Sequence, residues 1–300
     1  MNRLVVVLVA FALAIAGCGG SSDPSASVGS SERSDRLVDF SKRPPYVNSL
    51  ELDDRSKEFL LTTNRGFFRI DPQGDRVREV TGTLAVGEDR ATLGTFLELK
   101  SDGGASLVGS GHPDQPGLPQ FLGLLRSSDG GSSWRSISRL GDADLHKIVL
   151  EHDRLYAWDA VLSALIVSDD GGRSFAEHFT PRGLIIDFEV DPEDPERVVA
   201  ANDDELFRSE DEGESWRPIL SGEGTRLAWP TADRLYLAAK DGTVQLSDDG
   251  GDSFAPVGRV EGEPYKFKAV GADELYMALS DGTILHTTDG GRGWTEEFRP

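Results

Sequence analysis

The sequence predicts an all-β fold, a β-propeller of six four-stranded blades, and two observations predict it. The first is an eight-residue phrase that recurs five times: Ser127-Ser-Asp-Gly-Gly-Ser-Ser-Trp134, Ser168-Asp-Asp-Gly-Gly-Arg-Ser-Phe175, Ser209-Glu-Asp-Glu-Gly-Glu-Ser-Trp216, Ser247-Asp-Asp-Gly-Gly-Asp-Ser-Phe254 and Thr287-Thr-Asp-Gly-Gly-Arg-Gly-Trp294. The central aspartates, Asp129, Asp170, Asp211, Asp249 and Asp289, lie 41, 41, 38 and 40 residues apart. A period of about 40 residues with strand-like flanks marks propeller blades. The second observation is the order of short strands and tight turns between the phrases, which returns with the same period.

The N-terminal end reads as targeting, not as fold. Arg3 supplies a positive start, and Leu4 to Ala16 is an apolar run of 13 residues. That is short for a membrane span and suits a signal peptide over residues 1–17. Ile15-Ala16-Gly17-Cys18 follows, and Cys18 is the only cysteine of the 300 residues, so no internal disulfide is possible. The sequence gives Cys18 the role of lipid attachment, with residues 18–44 as a Ser/Gly-rich tether too polar to bury a core. The domain proper is then 45–300. The expected location is the membrane surface outside the cytoplasm, cell surface or periplasm, as a lipid-anchored monomer.

The chain carries a net charge of −21. Such a protein repels nucleic acid and anionic headgroups, which excludes nucleic-acid partners and leaves anchoring to the lipid. No motif calls for a cofactor.

In the fourth unit Leu184–Val190 reads as a first strand, Asp191–Pro195 as a turn, Arg197–Ala201 as a second strand and Asn202–Asp204 as a hairpin. Glu205–Arg208 is a third strand, the phrase turns the corner, and Trp216–Leu220 is the fourth. Units beginning near Leu145, Arg226 and Tyr265 repeat that order. Two earlier units are less regular: 46–80, with strands at 47–52, 58–62 and 66–70, and 93–140, with strands at 95–99, 106–109 and 122–126. Six units over the 255 residues from Tyr46 to Pro300 give about 43 each, a normal blade size.

The repeated phrase has a structural logic. An aspartate carboxylate accepts N–H groups inside its own turn, glycine takes positive φ, and the aromatic ring packs into the blade. The phrases are therefore expected to be fold and not site, on the side opposite the propeller mouth. The mouth consists of the connections between second and third strands and those leading into each blade. Most are minimal, as at Asn64-Arg65-Gly66 and Lys240-Asp241-Gly242. Two are elaborated. The loop at 109–121 contains His112, Asp114 and three prolines, and 141–146 brings Asp142, Asp144 and His146. With Tyr156, Trp158 and Asp159 read as the next loop, these eight residues form the candidate binding patch. No paired His-x-His or cysteine ligands mark a metal site, and none is assigned.

The phrases match the pattern Ser/Thr-x-Asp-x-Gly-x-Ser/Thr-Trp/Phe in four copies, while the fifth has Gly293 in place of the hydroxyl residue. They resemble the Asp-box, or BNR, repeats of sialidases, sortilin-type receptors and photosystem II assembly propellers. Across 46–299, with Gly111-His-Pro-Asp114 and Asp144-Leu-His146 between the phrases, the chain looks like bacterial lipoproteins of the BNR-repeat, glycosyl-hydrolase-like group. Cys18 likewise resembles the lipidated cysteine of a lipobox. The His-x-His-Gly-Leu run of that group corresponds here to Tyr46-Val47-Asn48-Ser49-Leu50, which lacks both histidines.

The resemblance implies two functions. One is a non-catalytic propeller binding a protein or glycan, as an assembly factor would. The other is a sialidase-like exo-glycosidase, which needs arginines for the sugar carboxylate and a tyrosine nucleophile. Phe68-Arg69-Ile70 resembles the sialidase Phe-Arg-Ile-Pro run, but Arg208 holds the same repeat position, so Arg69 is read as structural. The hydrolase candidates are Arg65, Arg182, Arg226 and Tyr265.

Overall fold

The computed structural model describes residues 46–300 apart from 72, 74–75, 87–88, 114–116 and 223–224. The expected signal segment, Cys18 and the tether lie outside the described residues. Only strands, turns and bends are found among those described.

Five four-stranded antiparallel sheets, each with strands in chain order, span 47–80, 145–178, 187–221, 225–259 and 264–298. Six four-stranded blades were expected; the structure has five, and the segment 83–138 does not make a sixth. It is a five-stranded closed sheet. A short extra strand, Thr83–Val86, runs antiparallel to Asp89–Ser101 and parallel to Ser133–Ser138, pairing Leu84 with Trp134 and closing the sheet on itself. Its parallel partner is some fifty residues away, which no local pattern shows. Gly82 lets the chain in: a Cβ there would stand 3.0 Å from both the Gly131 carbonyl and the Trp134 indole nitrogen.

The first strands lie side by side about an axis: Val47–Leu52, Asp89–Ser101, Leu145–Glu151, Asp187–Asp191, Thr225–Thr231 and Pro264–Ala269, with the last returning to the first. The ring closes by that contact, with no strand exchanged between the ends among the described residues. Apolar residues fill wedges between neighbouring sheets. Val149, Tyr156 and Trp158 of one sheet, for example, pack with Phe188, Val190 and Val198 of the next. Both faces of each sheet are covered, so second strands such as Arg154–Asp159 read as continuous apolar runs.

The repeated turns join third strands to fourth strands. In each, the aspartate Oδ1 accepts the N–H four residues on, at 2.8 to 3.0 Å, and the hydroxyl two residues before, at 2.7 to 2.9 Å. In four copies the Oδ2 also takes the serine hydroxyl four residues on, at 2.6 to 2.7 Å. The second glycine has positive φ, and a Cβ on Gly172 would meet Leu124 of the preceding sheet at 2.0 Å. Arg69 and Arg208 confirm their shared repeat position, since each donates to a glycine carbonyl of the turn in the next sheet, Gly130 at 3.3 Å and Gly250 at 2.8 Å. The turns thus bind sheet to sheet.

These bonds set the acid behaviour of the turns. The Ser253 hydroxyl and N–H and the Ser247 hydroxyl hold the Asp249 carboxyl down at about 2 against an ordinary 3.8. A depressed folded-state pKa contributes stability that is present above 3.8 and lost as pH falls through about 2. Asp249→Ala is expected to lower the thermal midpoint at pH 6, and the gap from wild type should close near pH 2. Conversely, Gly293→Ser supplies the hydroxyl that the fifth turn lacks. It is expected to raise the midpoint by a few degrees in a thermal melt.

Candidate functional site

Antiparallel order puts the turns between first and second strands and the repeated turns on one side, and the second-to-third and inter-sheet connections on the other. The candidate patch belongs to the second side, the mouth.

Some of its residues converge. His112 lies on the end of strand Leu107–Pro113, which runs further than the loop expected from Gly109. Its Nδ1–H donates to the Gln120 carbonyl at 2.7 Å, leaving Nε2 to face Asp144 Oδ1 at 3.7 Å. His146 Nε2 is 3.1 Å from the other oxygen of Asp144. Asp144 Oδ1 is buried with no hydrogen-bond partner among the described residues, and the Phe121 ring lies 5.7 Å from the His112 ring. Asp142 is exposed at the edge of the loop, and Asp114 lies outside the described residues.

The other residues do not join the patch. Tyr156 and Trp158 were read as loop, but they sit in the strand Arg154–Asp159, and the true connection is 160–163. Both are buried in the wedge core. Removing the Trp158 ring would leave a cavity costing about 3–5 kcal/mol, so it is a packing residue and not a contact residue. Asp159 is buried too. It accepts the N–H groups of Asp144 at 3.2 Å and Val161 at 3.0 Å and lies 3.4 Å from Arg139. It fixes the loop that carries Asp144.

The hydrolase candidates separate. Arg226 and Tyr265 do meet: the guanidinium donates to the Tyr265 carbonyl at 2.6 Å and lies 5.3 Å from its ring centre. Arg182 is mostly exposed and paired with Glu205, and Arg65 stands on an exposed hairpin.

Sequence reasoning missed the axis. Alternate residues of the first strands point to it, and many carry charge. Glu51 accepts Lys100 at 2.9 Å and Lys268 at 2.8 Å. Lys147 lies between Asp187 at 2.6 Å and Glu189 at 2.9 Å. Glu98 sees Lys100 and Lys266 only at 3.8 Å, and one of its buried oxygens has no hydrogen bond among the described residues. Burial would push the Glu51 carboxyl up, but its two lysines outweigh that and hold it below the ordinary range. Burial pushes Glu98 up, and its more distant lysines do not reverse it. Burial would lower the Lys147 pKa, but Asp187 and Glu189 hold it raised. The available signal was the alternation Glu98-x-Lys100, Asp187-x-Glu189 and Lys266-x-Lys268 in three of the first strands.

Where these first strands end, on the side of the repeated turns, an open cavity of about 320 Å³ lies on the axis, lined by Glu51, Lys100, Glu151, Glu189, Trp229 and Lys268 among others. Among the described residues no three His, Cys, Asp or Glu side chains are grouped to hold a metal ion.

Fold and axis define the class: a β-propeller. No protein-family description matches the chain, and no curated protein does. Solved structures do. YCF48 from Cyanidioschyzon merolae is similar at 14% identity and TM-score 0.50, over 84% of this chain and 85% of that one. YCF48 bound to D1 peptide is similar at 16% and 0.56, over 81% and 93%. The GH74 xyloglucanase from Xanthomonas campestris is similar at 18% and 0.52, over 84% of this chain but only 38% of its own. At these identities the likeness is one of fold.

Pairing of the buried charges gives a direct prediction. Lys147→Met strands Asp187 and Glu189 and is expected to cost about 3–5 kcal/mol in denaturant unfolding. Adding Asp187→Asn, which keeps an acceptor for the Leu227 N–H, is expected to recover part of that loss.

Proposed function

We propose that the chain is a non-catalytic propeller, anchored through lipid on Cys18 outside the cytoplasm, that binds a protein or glycan partner through its mouth. On this reading the repeated turns are Asp-box corners of the BNR type and the chain acts as a monomer. The observation that carries the proposal is the cluster of His112, Asp144 and His146. It is held on two neighbouring sheets, with the His146 ring exposed and the His112 ring partly so, while the Asp144 carboxylate lies between them with one oxygen that makes no hydrogen bond among the described residues. A solved structure of the same fold is described as bound to a peptide, which supports a protein segment as partner.

The test is capture from membrane extract by the full chain in detergent. Asp144→Asn combined with His146→Ala is expected to reduce capture of a discrete partner about tenfold or more, with an unchanged thermal midpoint. Equal capture by the variant contradicts the mouth as the site. Cys18→Ser is expected to move the chain out of the membrane fraction, and its retention there contradicts the anchor.

A second reading, glycoside hydrolysis, has one observation in its favour. Glu51 and Glu151 face the same axial cavity with pKa values displaced in opposite directions, Glu151 raised chiefly by burial. A propeller of similar fold belongs to a xyloglucanase. Release of reducing sugar from xyloglucan or a sialylated glycan, lost in Glu151→Gln, would establish it over the binder.

A further inference from the structure

The axial cavity lies on the side away from the mouth, and its charges are unevenly matched. Lys100 and Lys268 are both taken by Glu51, and Glu189 is taken by Lys147. Glu151, at the end of its strand, makes no salt bridge to the described residues, and burial pushes its carboxyl up. One acid on the lining therefore lacks its own cation.

A second group there is also unsatisfied. Trp229 is only 5% exposed, and its indole N–H is buried with no acceptor among the described residues. A buried donor without an acceptor is unfavourable, and a ligand oxygen beside it would relieve that. Together, Glu151 asks for a positive group and Trp229 for an acceptor.

The surround has the same sign. On this side the turns between first and second strands expose Asp54, Asp153, Glu193, Asp233, Asp273 and Glu274, against Arg55 and Lys57. In a chain of net charge −21, a cleft framed by acids draws cations toward it.

We propose that the axial cavity receives a lysine or arginine side chain from a protein segment, its cationic head against Glu151 and a backbone carbonyl beside the Trp229 N–H. The mixed lining suits this better than a free metal ion, because Lys100 and Lys268 stand within it and would repel a bare dication. The site is separate from the mouth patch, so Asp144→Asn leaves it unaltered and the two proposals fail independently.

The test is NMR on the full chain in detergent, following the Trp229 indole signal assigned by Trp229→Phe. The probes are acetyl-Ala-Lys-Ala-amide and its norleucine counterpart, which keeps the shape and removes the charge. The lysine peptide is expected to shift the signal saturably, the norleucine peptide to leave it in place, and Glu151→Gln to weaken binding about tenfold. Raising salt from 50 to 500 mM on the wild type provides the same contrast without a substitution, and weakening is expected. Equal shifts by both peptides, no shift by either, or full affinity in folded Glu151→Gln each overturn the proposal. A shift by putrescine alone overturns the protein segment as occupant.

Discussion

Pairing of charge along the central axis is the constraint on which the rest of the structure depends. Each first strand turns alternate side chains toward the axis, and several of the charged groups there are buried, Glu51, Glu98, Lys147 and Asp187 among them. A carboxylate or ammonium in that position is tolerable only if an opposite charge from a neighbouring strand meets it. Lys147 bridges to Asp187 and Glu189 on the next first strand, and Lys268 reaches back to Glu51 where the ring closes. These bonds fix which strands are neighbours and at what height, which apolar wedges alone specify poorly. The repeated turns act at the periphery in a complementary way, through Arg69 and Arg208 reaching the turn of the following sheet.

Much of this was legible in the chain. The phrase around each aspartate gave the turn, and its period gave the sheet repeat, because a carboxylate-centred turn demands fixed residue types at fixed offsets. Strand limits such as Gly66–Ile70 followed from the hairpins on either side. The fourfold strand count broke down at Thr83–Val86, because its parallel pairing comes from the distant strand Ser133–Ser138.

The candidate site was only partly legible, for a physical reason. Tyr156 and Trp158 looked like mouth residues because propeller second strands are buried on both faces, so their polar-tipped aromatics carry no alternation to mark them as core. His112, Asp144 and His146 were found because loop elaboration and polar side chains coincide there. The axial charges went unread because they alternate across strands some forty residues apart, and only the closed ring brings them together. The resulting molecule has two unlike surfaces, a mouth with a His–Asp–His cluster and an acidic side with an axial cavity.

The most direct measurement is a carbon-detected NMR titration of the glutamate carboxyls in the full chain. If the axial charges are paired as described, Glu51 titrates below the ordinary 4.5 and Glu98 above it, because two lysines hold the first while burial dominates the second. If both titrate together near 4.5, the axis is open to water and its charges are not what holds the ring.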